Sequence, residues 1–230
     1  SSSRTGNALL GLTYKYKWNN QINLYGQFVL DEFSLGDIKK SDNSWKNKYG
    51  YQLGIKYYNA FRVSDLLLQL EYNHVRPYVY SHSVPLTNYG HNNQSIGHQW
   101  GGNFKELIAI ARYHKGRYFA DAKVTMGTRG LDFDASENNF NYGGNIYKDY
   151  DENRPFDTDV KVGQGNKTAV FIADFQWGYL VNPATNLKIF GSYIYRSFDP
   201  AKNTVSTFSE STNWLTLGLR ADVFNWYFDY

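Results

Sequence analysis

The amino-acid sequence predicts an all-β protein, a transmembrane antiparallel β-barrel of the outer-membrane type in which about nine strands are visible. Three observations lead to this prediction. Apolar and polar residues alternate over long segments, the apolar set ends in tyrosine or tryptophan, and short connections alternate with long ones. Side chains that alternate with period two point to opposite faces of a strand. In a membrane barrel the outer face is apolar with aromatic borders, and the charges lie in the lumen.

The composition favours a folded β-protein over the alternatives. Aromatic residues make up 18% of the 230 residues, whereas disordered chains are poor in them. No stretch approaches the roughly 18 apolar residues that a spanning helix needs. The 24 Lys and Arg are scattered and nearly balanced by 21 Asp and Glu, so we expect no nucleic-acid partner. Because the chain has no Cys, disulfides, thiolate metal sites and a Cys nucleophile are excluded.

Nine segments carry the alternation, and in each one the apolar residues share a single parity. We predict strands at 6–18, 21–33, 48–61, 66–78, 104–114, 117–130, 167–181, 186–198 and 212–224. One residue of the apolar set from each segment, in that order, is Leu12, Leu24, Leu53, Leu70, Ala109, Val124, Phe175, Ile189 and Leu217. The alternate positions, which point to the opposite face, include Lys15, Gln27, Lys56, Glu71, Glu106, Lys123, Asp174, Lys188 and Arg220. A soluble sandwich would alternate too. A charge on a lipid face costs about 2–4 kcal/mol at the midplane, however, so nine apolar parities without a charge in the strand cores favour the membrane barrel.

The connections predict the orientation of the barrel. Short turns near 18–21, 62–65, 114–117 and 182–186 alternate with long polar loops at 34–47, 79–103, 131–166 and 199–211. Since outer-membrane barrels have short periplasmic turns and long extracellular loops, we expect extracellular loops and a periplasmic C-terminus, which is aromatic at 224–230. Bacterial barrels have an even number of strands. We therefore expect residues 1–230 to be the C-terminal portion of a single larger barrel domain, with no second domain.

The two longest loops contain the residues that we expect to contact a partner. Tyrosine rings supply contact area and asparagine amides supply hydrogen bonds, a combination typical of polar recognition surfaces. The candidate binding residues are Tyr78, Tyr80, His82, Tyr89, His91, Trp100, Tyr142, Tyr147 and Tyr150. The expected partners, besides outer-membrane lipid, are a surface polysaccharide or other outer-membrane or surface proteins. Simple packing of the loops over the barrel mouth is the alternative.

The loops do not predict an enzyme or a cofactor. A hydrolase would pair Ser81 or Ser83 with a neighbouring histidine, but no G-x-S-x-G sequence is present. The spacing of the histidines matches no metal motif. The calcium candidates in the acidic loop do not follow EF-hand spacing; they are Asp149, Asp151, Asp157 and Asp159. We therefore expect no catalytic residues, no metal and no cofactor.

Two loop segments resemble Bacteroidetes outer-membrane barrels of the gliding motility protein RemB family, which are related to the Wzi capsule-assembly barrels. The segments are Arg76-Pro77-Tyr78-Val79-Tyr80-Ser81-His82 and Asn88-Tyr89-Gly90-His91-Asn92-Asn93-Gln94, supported by Asn182-Pro183-Ala184-Thr185-Asn186-Leu187, Phe190-Gly191-Ser192-Tyr193, Leu217-Gly218-Leu219-Arg220 and Phe224-Asn225. The resemblance spans essentially all 230 residues and corresponds to the C-terminal part of a longer family chain. It implies a non-enzymatic cell-surface barrel that acts in gliding motility or in attachment of polysaccharide or adhesin. A pore, or a component of a secretion or uptake complex, is the alternative.

Overall fold

The computed structural model describes residues 9–32, 42–84, 90–91, 94–95 and 97–222. The strands are β1 Leu10–Lys17, β2 Ile22–Glu32, β3 Lys48–Tyr58, β4 Leu66–Val75, β5 Gly90–His91, β6 Gln94–Ser95, β7 Phe104–Lys115, β8 Tyr118–Leu131, β9 Asn166–Asn182, β10 Leu187–Pro200 and β11 Glu210–Arg220. One 3-10 turn lies at Ala60–Arg62. In the part of the chain that is described, no helix is long and apolar enough to cross a membrane. The predicted strand ends at 6–8, 33 and 223–224 and the aromatic run at 224–230 lie outside the described residues.

Nine strands form one antiparallel sheet in which each of the nine pairs with the next one along the chain, with β5 and β6 inserted between β4 and β7. The spatial order is β1-β2-β3-β4-β7-β8-β9-β10-β11, and β5 pairs only with β6. The predicted all-β antiparallel architecture is confirmed. β1 and β11 are the edges, and among the described residues neither has a strand on its outer side. The sheet is therefore open and is not closed into a barrel.

The strand register joins the apolar parities of all strands into one continuous face. One row of directly opposed residues runs from β2 to β11 through Ile22, Tyr57, Leu68, Ala111, Ala122, Phe175, Tyr193 and Leu215. A row on the opposite face runs from β1 through Thr13, Gln27, Gln52, Asn73 and Glu106. A slip of one residue would move every side chain to the other face, so this register is what makes the apolar surface continuous. Many of its large side chains are exposed, among them Leu53, Leu70 and Leu217.

Aromatic rings lie over glycines of neighbouring strands within the sheet. A Cβ atom added to Gly178 would lie 2.6 Å from the Phe119 ring, and one added to Gly191 would lie 2.6 Å from the Trp177 ring. Rings placed in this way cover the exposed backbone beside a glycine. The glycines in these strands therefore leave space that the rings occupy.

Three strands, β3, β4 and β11, end earlier than the sequence predicts, and β11 stops at Arg220. β4 stops at Val75 instead of continuing to residue 78, because Pro77 has no N–H to give to a ladder and Tyr78 has φ of 69°. The Tyr78 N–H donates to the Gly143 carbonyl at 2.9 Å, outside the sheet. β3 stops at Tyr58 because Asn59, with φ of 49°, begins the turn to β4.

The buried core lies at one end of the sheet, between the strand ends and the connections that follow them, and we call these connections the loop cap (42–47, 76–84, 97–103, 132–165 and 201–209). The larger cluster of the core contains Val29, Val75, Val79, Tyr80, Trp100, Phe104, Ile146 and Val170, of which four are strand residues. The smaller cluster contains Tyr78, Tyr150 and Val160 packed against Trp45. The four short turns lie at the opposite end of the sheet. The long connections are therefore folded against one another and against the sheet.

Candidate functional site

The nine predicted contact residues do not form one exposed surface. Five of them have buried side chains: Tyr78, Tyr80, His82, Trp100 and Tyr150. Tyr142 is half-buried, and Tyr147 is exposed over 39% of its surface. Tyr89 lies outside the described residues, and His91 belongs to β5, where only the backbone is described. The accessible rings of this set, within the described residues, are therefore Tyr147 and part of Tyr142.

The buried rings hold the loop cap together through hydrogen bonds and cation–π contacts. The Tyr78 hydroxyl donates to the Asn141 carbonyl at 2.8 Å, and burial raises the pKa of this hydroxyl, which keeps it protonated. Lys48 Nζ lies 3.6 Å from the centroid of the Tyr150 ring. On the other side of the same cluster, the Arg154 guanidinium lies 3.7 Å from the centroid of Trp45. Cation–π contacts are strongest where water is excluded. Because these rings are used in such buried contacts, their role is to pack the loop cap.

An open cleft of about 690 Å³ lies between three connections of the loop cap, near the end of β8. Trp100 and Tyr147 bring rings to it, and Gln99, Asn145 and Thr207 bring amides and a hydroxyl. Arg129 and Asp132 bring the two charges. Trp100 and Tyr147 were in the sequence-predicted set, whereas Arg129, Asp132, Gln99, Asn145 and Thr207 were not.

Local contacts fix the orientation of the cleft residues. Trp100 packs edge-to-face on Phe104, with ring centroids 5.5 Å apart. The backbone N–H of Trp100 donates to His98 Nδ1 at 3.1 Å. The Asn145 side chain accepts from the Tyr147 N–H at 2.9 Å, a local bond typical of an Asx turn. This turn brings Tyr147 to the cleft mouth.

The charge of Asp132 is already neutralised. Its carboxylate accepts from Lys148 Nζ at 2.7 Å and from the Tyr142 N–H at 2.8 Å. The proximity of this carboxylate also contributes to a raised pKa of the Tyr142 hydroxyl, although burial is the larger cause. Asp132 therefore stabilises the fold of the 132–148 segment and leaves the cleft without a free carboxylate among its described lining residues.

A chain of hydrogen bonds crosses the polar face of the sheet beneath the loop cap. The His98 ring contacts Glu106 Oε1 at 2.6 Å, and Asn73 Nδ2 donates to the same oxygen at 2.8 Å. Asn73 Nδ2 also donates to Glu71 at 3.0 Å, and the Tyr25 hydroxyl donates to Glu71 at 2.6 Å. Since the Glu106 side chain is almost fully buried, this network attaches the segment around His98 to the sheet.

The residues considered for catalysis and for calcium have other partners. The Ser81 hydroxyl is buried and donates to the Tyr78 carbonyl at 2.7 Å. Each of the four acidic calcium candidates is engaged locally: Asp149 accepts from the Asp151 N–H, Asp151 and Asp157 pair with Arg154, and Asp159 pairs with Lys161. Within the described ranges, no group of three or more His, Cys, Asp or Glu side chains is arranged to hold a metal ion.

The geometry suits reversible binding of a polar ligand. Concave sites that hold small ligands combine rings with a few polar groups that fix orientation. The cleft has both, at the end of the sheet where the long connections meet. Comparison of the chain with protein-family models, with curated proteins and with solved structures found no match.

Proposed function

We propose that the chain is part of a bacterial outer-membrane β-barrel that attaches a polysaccharide or an adhesin at the cell surface through its loop cap, without catalysis. The observation that carries this proposal is the continuous apolar face of the nine-stranded sheet. Exposed apolar patches on soluble monomers rarely exceed a few hundred Å². A face that carries exposed Leu12, Leu53, Leu70 and Leu217 on four different strands suits contact with lipid.

Aromatic side chains near both ends of the apolar face support a membrane position. Tyr51 and Tyr72 lie near the loop cap with ring centroids 6.1 Å apart, and Tyr118 and Tyr179 lie near the short turns with centroids 5.0 Å apart. Tyr and Trp are enriched at the two membrane–water interfaces. By the loop-length rule for such barrels, the loop cap would be extracellular and the short turns periplasmic.

The open edges of the sheet support the proposal that further strands complete the barrel. Each backbone polar group left unpaired in lipid costs several kcal/mol, and for this reason sheets in membranes are closed. β1 and β11 would both pair with additional strands, which would also bring the strand count to an even number. The resemblance to RemB-family barrels agrees with this proposal and suggests a role in gliding motility.

The packing of the loop cap favours attachment over transport. The segment around His98 lies against Glu106 on the polar face, which would be the lumen of a closed barrel. A pore or a component of a secretion or uptake complex remains the second candidate, because charged side chains on the polar face would set the ion preference of an open lumen. The charges are of both signs, such as Lys123 opposite Asp174, which favours pairing with one another over an open pore. Reconstituted full-length protein should give no sustained single-channel conductance. Stable open channels would favour the second candidate.

Single cysteines test the proposed surface location, because the chain contains no cysteine of its own. Glu152→Cys lies at an exposed position of the loop cap, and Ala184→Cys lies at an exposed position of a short turn. A membrane-impermeant maleimide should label the first variant on intact cells and the second only after the outer membrane is opened. The reverse pattern would overturn the orientation, and labelling of neither variant on intact cells would overturn the surface location.

A further inference from the structure

Arg129 brings a positive charge to the cleft with most of its hydrogen-bonding capacity unused. A guanidinium has five N–H donors. Among the described residues, Arg129 makes one hydrogen bond, from Nη2 to the Trp100 carbonyl at 3.2 Å. Its Nε is buried and has no partner. The remaining Nη hydrogens have no partner among the described residues, so a carboxylate that enters the cleft can accept from them.

Glu106 interacts with Arg129 electrostatically, but no described carboxylate forms an ion pair with it. Glu106 is engaged by His98 at 2.6 Å and by Asn73 at 2.8 Å, and Asp132 is paired with Lys148 at 2.7 Å. Within the described residues, no carboxylate lies within 4 Å of the Arg129 guanidinium. The positive charge is therefore available to a ligand.

The other cleft residues suit a ring that carries hydroxyl groups. The Arg129 guanidinium lies 5.5 Å from the centroid of Trp100, and the exposed ring of Tyr147 also lines the cleft. Aromatic rings pack on apolar ring faces, and the amides of Gln99 and Asn145 can exchange hydrogen bonds with hydroxyls. The cleft volume of about 690 Å³ falls in the range of small-ligand sites, roughly 300–1,000 Å³.

We propose that the cleft binds an acidic sugar unit whose carboxylate pairs with the Arg129 guanidinium. The sugar ring packs against the exposed ring of Tyr147, and its hydroxyls bond to Gln99 and Asn145. Arg–carboxylate pairs are charge-assisted and frequently bidentate, which gives specificity for a planar carboxylate. This inference rests on the proposed function, since it names the chemistry of the surface glycan that the loop cap holds.

Calorimetric titration of the purified full-length protein with oligogalacturonate, and with its methyl ester of equal length, tests the pairing directly. The two ligands share every ring and differ in charge. We expect the acid to bind at least tenfold more tightly than the ester. Arg129→Gln should abolish this preference by weakening the acid alone, and Tyr147→Ala should weaken both ligands to a similar extent.

Arg117→Gln is the matched control, since Arg117 lies at the opposite end of the sheet and also donates to one carbonyl, that of Val181, at 3.1 Å. Its affinities should equal those of the unmodified protein. If Arg129→Gln does not fold, Arg129→Lys replaces it. This variant keeps the charge but loses the planar fork, so the acid preference should fall without vanishing.

Three outcomes would overturn the acidic-sugar site: equal affinity for acid and ester, an acid preference that survives in Arg129→Gln, or inorganic phosphate that binds as tightly as the oligosaccharide. The last outcome would indicate a simple anion site. Failure of the binding assay while Glu152→Cys is labelled on intact cells would leave the proposed surface barrel standing. Failure of that labelling would refute the proposed function whatever the titration shows.

Discussion

Asn103 is fully buried where the loop cap joins β7, and its side chain connects three separate segments. Its amide Nδ2 lies 3.1 Å from the Gly130 carbonyl, 3.1 Å from the Tyr142 carbonyl and 3.0 Å from the Gln164 carbonyl, while Oδ1 accepts from the Gly163 N–H at 2.7 Å. Two amide hydrogens therefore serve three carbonyls. The residue has φ of 56°, a left-handed conformation that Asn tolerates better than most residues.

Replacing Asn103 tests the importance of this connection. Asn103→Ala should lower the free energy of unfolding by about 2–3 kcal/mol, because it removes the acceptor of the Gly163 N–H and the Asn103 donor to the Gly130 and Gln164 carbonyls. Asn103→Asp should be worse at neutral pH, since a carboxylate would face three carbonyls. Urea unfolding of the purified protein measures both effects. Asn139→Ala, at an exposed position of the 132–165 connection, is the control, and equal midpoints for Asn103→Ala and this control would contradict the argument.

Asp134 links two connections of the loop cap and gives a pH prediction. Its carboxylate accepts from the Ser206 hydroxyl and from the Ser206 N–H, the latter at 3.2 Å. The hydroxyl hydrogen bond is the largest cause of a pKa of Asp134 below its ordinary value of 3.8. Because the pKa is lower in the folded state, the stabilisation is present above pH 3.8 and is lost as the pH falls through the folded pKa.

Ser206→Ala should therefore raise the pKa of Asp134 towards 3.8. Carboxyl carbon chemical shifts, followed by NMR during an acid titration, measure this pKa. Cleavage of the 201–209 segment by pepsin should also increase as the pH falls in the unmodified protein. An unchanged pKa in Ser206→Ala would show that the hydroxyl does not bind the carboxylate in solution.

At the scale of elements, the alternation of apolar and polar residues predicts the nine strands, whereas it does not predict how the connections fold. Alternation gives the face of a strand residue without knowledge of its neighbours, so Leu70 and Glu71 could be assigned to opposite faces. Connections have no such period. Burial of Tyr78 and Trp100 depends on segments distant in the sequence. The early end of β4 could have been predicted locally, from the presence of Pro77 in the sequence.

The glycine positions in the strands give a prediction at this scale. Gly178→Ala should destabilise the protein by about 1–3 kcal/mol, because the added methyl group meets the Phe119 ring and the Ile189 carbonyl. Gly11→Ala is the matched control, since nothing lies within 4 Å of its added Cβ. Denaturant unfolding compares the two variants. Equal stability would mean that the rings shift without a measurable loss.

At the scale of the whole molecule, the two faces of the sheet should respond differently to charge. Leu217 is 77% exposed on the apolar face of β11, and Thr216 lies on the polar face beside Ser192. Leu217→Arg should reduce folding into lipid vesicles by an amount corresponding to about 2–4 kcal/mol, whereas Thr216→Arg should fold normally. The shift in mobility between heated and unheated samples reports the folded fraction. Equal folding of both variants would contradict the membrane barrel.

The cleft could not be predicted from the sequence, because it forms where three connections meet. Trp100 and Tyr147 were identified by their chemistry within aromatic loops. Arg129 lies on β8, where its parity indicated only a polar face, and its unused donors become visible only beside the engaged Glu106 and Asp132. The one feature of the sequence that pointed to the cleft is a charged residue, Arg129, near the end of a strand that precedes a long loop.

The meander topology favours one order of folding. Since each long strand pairs with the next one along the chain, hairpins closed by short turns need little loop closure and should form first. The loop cap requires segments around Asn103, Tyr142 and Gln164 to meet, so it should form after the strands that hold them. The acidic-sugar cleft would then be the last part to mature. Ligand binding would therefore report that folding is complete. A surface glycan would be retained only by protein molecules whose loop cap had folded.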